Sequence, residues 1–250
     1  MPPRGAQITS FLPADAAHVA TLRRYARAAG VAMLLSIVFG FLGEMYLPGR
    51  IIVSGDAGAT AANIRDNPTL FRLTFASYLV EGICDVALLV CFYILLKPVN
   101  RNLALLSAFF GVVSMVTFAV AQSSFFAASL ILRETGGMTA FTTEQREALA
   151  LLAIRIASMI AGLFLCMYGI ASMIRGYLIA RSGYLPRVIG ILLVIGGVGF
   201  FLRSITYLLA PSLSSPLLLL PMALGAIPLM AWLLLRGLDG RGTPSPSETR

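Results

Sequence analysis

Apolar residues in this chain do not alternate with polar ones. They run nearly unbroken from about 28 to 47, 71 to 96, 103 to 132, 147 to 174, 186 to 209 and 215 to 236. A helix rises 1.5 Å per residue, so about 20 apolar residues cross the ~30 Å hydrocarbon layer of a bilayer. Strands of a membrane barrel would instead show segments of roughly 10 residues with a period of two. The pattern predicts an all-α, polytopic transmembrane helical bundle of six spans, forming one membrane domain over residues 28–236.

The polar stretches between the runs carry their own local signals. Residues 1–13, with Pro2, Pro3 and Pro13, read as disordered, and 14–27 predicts a short interfacial helix. Val19, Leu22 and Ala26 would lie on one side of it, with Arg23, Arg24 and Arg27 on the other. The first run begins too late for a signal peptide and has no small-residue cleavage site, so it reads as a retained span. Ser54-Gly55-Asp56 is suited to capping a helix over Ala62 to Arg65 that Asn67-Pro68 ends. Thr142 and Gln145 have capping-box spacing at the start of span four. Pro221 and Pro228 are expected to kink span six. The tail 237–250, GLDGRGTPSPSETR, reads as a disordered cytoplasmic segment.

Composition agrees with the bilayer as solvent: of 250 residues, 58% are hydrophobic and 12% charged, too apolar for a soluble domain of this size. The net charge of +8 is not arranged as a basic stripe interleaved with aromatics, so no nucleic-acid partner is expected. It follows the span ends instead. Arg4, Arg23, Arg24, Arg27, Lys97, Arg101, Arg175, Arg181, Arg187, Arg236, Arg241 and Arg250 fall on one side, twelve in all. Arg50, Arg65, Arg72, Arg133 and Arg146 make five on the other. Because Lys and Arg accumulate in cytoplasmic loops, both termini are expected in the cytoplasm, with the chain in the cell's inner (cytoplasmic) membrane.

Several chemistries are excluded on residue content. Cys84, Cys91 and Cys166 lie within apolar runs and read as packing thiols without a disulfide. The single histidine, His18, has no Cys or acidic cluster around it, so no metal site is expected. The chain holds no phosphate-binding loop, no HExxH and no G-x-S-x-G, which implies no cofactor and no enzymatic activity.

Ionisable groups within spans are costly and therefore mark function first. Glu81 and Asp85 stand one turn apart in span two, with Thr74, Ser77 and Tyr78 on the same face. Glu44 ends span one, Gln122 reaches a similar depth in span three, and Arg155 and Arg203 lie in spans four and five. All six are expected in one polar zone between the midplane and the outer interface, with the inner half almost free of charge. Arg155 or Arg203 is expected to pair with Glu81 or Asp85, which leaves one of three carboxyls over. A second pattern concerns packing. Gly162, Gly169 and Gly176 recur every seven residues in span four, and Gly190 and Gly197 repeat the interval in span five, a helix-packing seam of small residues.

The stretches SGDAGATAANI, DVALLVCFYILLKPVNRNLALL and GYLIARSGYLPRVIGILLVIGG resemble a bacterial multi-pass membrane family catalogued as a domain of unknown function. The resemblance covers about 28–236, is weaker in span four, and departs from the family at Gly111, where a basic residue is expected. It implies a helical membrane bundle and assigns no activity. Two functions then compete. A small permease or proton-coupled carrier would use the polar zone; a non-catalytic scaffold, as a homo-oligomer or beside a membrane partner protein, would use the glycine seam. Intramembrane lipid chemistry with Glu81 and Asp85 as acid and base ranks third, because no nucleophile or metal accompanies them.

Overall fold

The computed structural model describes residues 13–133, 136–210, 213 and 215–238. Among them, six helices are long and apolar enough to cross a membrane, and the chain is a multi-pass membrane protein. Helix α1 (Pro13–Gly40) passes into a π-helical segment, Phe41–Tyr46, and a short α2 (Pro48–Ile51); together these form span one. A connecting α3 (Ala57–Asp66) precedes α4 (Pro68–Leu96), α5 (Arg101–Ile131), α6 (Thr143–Ser182), α7 (Arg187–Leu209) and α8 (Leu220–Leu235).

The local signals fold as their chemistry directs. Asp56 caps α3 by accepting from the Ala59 amide at 2.8 Å, and Thr142 and Gln145 complete a capping box on α6. Four features differ from expectation. Residues 14–27 are not a separate interfacial helix but the first turns of α1, because Leu22 and Ala26 find a packed core to bury in. Helix α6 runs on to Ser182, since Leu178 and Ile179 are also fully buried. In span six Pro221 sits in the first turn of α8, where its missing N–H has no role, and only Pro228 lies inside the helix. Leu238, expected in the tail, is buried, while 1–12 and 239–250 lie outside the described residues.

The spans are arranged as a ring. Each packs on the next in sequence, α1 on α4, α4 on α5, α5 on α6, α6 on α7 and α7 on α8, and α8 returns to α1. Small residues set the close contacts. A Cβ on Gly176 would lie 2.6 Å from the Gly190 carbonyl, and one on Gly169 would lie 2.7 Å from that of Gly197. Ser204 donates to the Gly162 carbonyl. Gly30 admits Leu234 to α1, and Gly225 meets the backbone at Leu193. One apolar cluster joins Leu22, Leu95, Ile179, Tyr184 and Leu233 at the end of the ring nearest the described termini. A second joins Ile51, Ile64, Phe71, Leu132 and Ala150 at the far end.

Candidate functional site

Antiparallel α1 and α4 bring three carboxyls together. On the first helix Ser36, Gly40 and Glu44 follow one another at single turns, and on α4 Ser77, Glu81 and Asp85 do the same. The two stripes face each other. Ser36 donates to an Asp85 oxygen at 2.6 Å, and Gly40 stands opposite Glu81 so closely that a Cβ there would lie 2.6 Å from Oε1. Gly43 gives the same room to Ser77 and Tyr78. The π-helical turn falls at Phe41–Tyr46, so Glu44 is carried on the irregular stretch where the helix widens after Gly40.

The three carboxyls, Ser36 and Gly40 line a cavity of about 350 Å³ walled by α1, α4, α6, α7 and α8 and bordered by the half-exposed Phe41 and Ile227. Glu81 and Asp85 are buried, at 8% and 9% exposure, whereas Glu44 stays exposed at the far-end side of the cavity. Oε2 of Glu81 has no hydrogen-bond partner. The cation of the site is Arg175 on α6, which lines the same cavity and acts electrostatically on Asp85. It is 6% exposed and clasped between rings, 4.7 Å over Phe92 and 5.9 Å from the Tyr168 centroid. A smaller cavity of about 240 Å³ shares Glu44, Phe164 and Leu165 with the first and extends to Tyr78 and Gln122.

The site therefore differs from the sequence expectation in its cation. Glu44, Glu81 and Asp85 come together, Gln122 joins only Glu44 on the smaller cavity, and Arg155 is exposed on the outside of α6, where its long stem can carry the charge toward an interface. Arg203 stacks 5.1 Å over Tyr207 and does not line the carboxyl cavity. Arg175, counted as a loop charge, sits within the ring because α6 continues past it; the half of the ring nearest the termini is thus not free of charge. The signal was adjacent: Gly176 is the third member of the glycine seam, so its neighbour also belongs to the packed part of the helix. Ser36 was missed because a serine in an apolar run costs little and draws no notice. No group of three or more His, Cys, Asp or Glu with metal-holding geometry occurs among the described residues.

The family described as Domain of unknown function (DUF4386) matches residues 28–237, and the chain belongs to it. No curated protein and no solved structure matches the chain.

Proposed function

We propose that this member of the family is a small proton-coupled permease for cations, with both termini in the cytoplasm and the cavity opening at the far end of the ring. The observation that carries this reading is the convergence of Glu44, Glu81 and Asp85 with a single Arg175 on one cavity walled by five of the spans. Two buried carboxyls and a third at the cavity's edge, facing one guanidinium, leave negative charge that a proton or a cation must neutralise. Exchange of one for the other at the same oxygens couples cation movement to a proton gradient. Exposed Glu44 receives the cation first, and Glu81, with an unpartnered oxygen, holds it deeper. The loop asymmetry of Lys and Arg supports the orientation. The glycine seam packs α6 on α7 within one chain, which supports the carrier reading over a scaffold that would use the seam between chains.

Uptake into proteoliposomes tests this. An inside-acid gradient should drive tetramethylammonium into vesicles holding the protein, and a protonophore, or Glu81→Gln, should return uptake to that of empty vesicles. Uptake equal to empty vesicles in the parent protein, or undiminished in Glu81→Gln, would contradict the proposal.

A further inference from the structure

The face that α4 and α5 turn to the bilayer is not closed. Between them lies a groove of about 670 Å³, walled on the α4 side by Phe75, Leu79, Ile83 and Val86, all more than half exposed. The groove exists in part because residue 82 is glycine: a Cβ there would meet no atom within 4 Å. Its polar wall residues include Tyr78 and Gln122, and both also line the smaller cavity that holds Glu44. Groove, small cavity and carboxyl cavity therefore share wall residues in succession, from the α4–α5 face to the cavity of Glu81 and Asp85.

We propose that the cargo is an amphiphilic organic cation that enters sideways from the bilayer, with its apolar body in the α4–α5 groove and its charged head directed past Tyr78 and Gln122 to the carboxyls. The proposal deepens the carrier reading above and rests on it. Charge complementarity selects a cation, since three carboxyls face one guanidinium and Glu81 Oε2 is unpartnered at 8% exposure. The walls then select its type. A hard metal ion demands about six or more oxygen ligands. This cavity offers few oxygens and several aromatic rings, among them Phe41, Phe164, Tyr168 and Phe200. An organic ammonium is weakly hydrated and is stabilised by such ring faces as well as by carboxylates. An apolar tail in turn suits a groove that borders acyl chains, whereas a small hydrophilic cation has no use for it.

The test is equilibrium binding of radiolabelled dodecyltrimethylammonium and tetramethylammonium to the full chain in phosphatidylcholine nanodiscs, corrected for empty discs. Gly82→Leu and Ser123→Phe each fill the groove from opposite walls, in space that the present backbone leaves open. Both should weaken the long-chain ligand by about tenfold or more and leave tetramethylammonium within about twofold, the latter reporting an intact fold. Glu81→Gln should weaken both ligands. Parental affinity for dodecyltrimethylammonium in the two groove variants, or equal loss of both ligands in them, overturns sideways entry and leaves the carrier reading standing if Glu81→Gln still weakens both. Unchanged binding of both ligands in Glu81→Gln overturns the two readings together.

Discussion

Gly40 and Arg175 show how single residues make the site possible. Gly40 has no side chain, so the Glu81 carboxyl can lie against α1 instead of being pushed aside. Arg175 supplies the positive charge without which two buried acids and a third at the edge would face one another alone. Removing one partner from a buried charge cluster typically costs about 3–5 kcal/mol, because the remaining charge stays uncompensated. Arg175→Leu should accordingly lower the yield and thermal midpoint of the purified protein strongly, and Asp85→Asn in the same chain should restore part of the loss. Arg155→Leu, on the exposed face of α6, should stay within about 0.5 kcal/mol of the parent. Comparable damage from both arginine variants would contradict the placement of the cation. The acids were legible in the sequence because an acid in a span is expensive wherever it points. The arginines were not, because the same cost is avoided in two ways, by pairing inside or by reaching an interface, and composition does not distinguish them.

At the level of elements, the six spans followed from apolar runs alone, since a backbone in lipid has no alternative to the helix at that length. Their ends followed less well. Forty residues of α6 extend about 60 Å, twice a hydrocarbon layer, and the last turns hold because Leu178 and Ile179 are buried against other helices. Burial of that kind depends on neighbours and leaves no periodic signal distinct from the span itself. The seven-residue glycine spacing did identify the contact between α6 and α7, because only residues without side chains allow backbones so close. Gly176→Ala should destabilise the detergent-solubilised protein by about 1–3 kcal/mol, as the new Cβ would press on the Gly190 carbonyl and the Val194 amide. Gly49→Ala, where nothing lies within 4 Å, should leave the thermal midpoint unchanged. Equal effects of the two would show that the seam is not the close contact described.

Taken whole, the described spans pack in sequence as a ring, and five of them wall a cavity that holds carboxyls from span one and span two and an arginine from span four. Neither the ring nor the cavity could be read from the chain, because hydropathy specifies which segments enter the bilayer and says little about their order around an axis. In the proposed mechanism this cavity exchanges a proton for a cation. Linkage makes that claim measurable, since a ligand that binds in place of a proton must release it. Purified protein in a weakly buffered solution with a pH-sensitive dye should release about one proton for each tetramethylammonium bound, and Glu81→Gln should release fewer. Saturable binding of the cation with no proton released from the parent protein would contradict it.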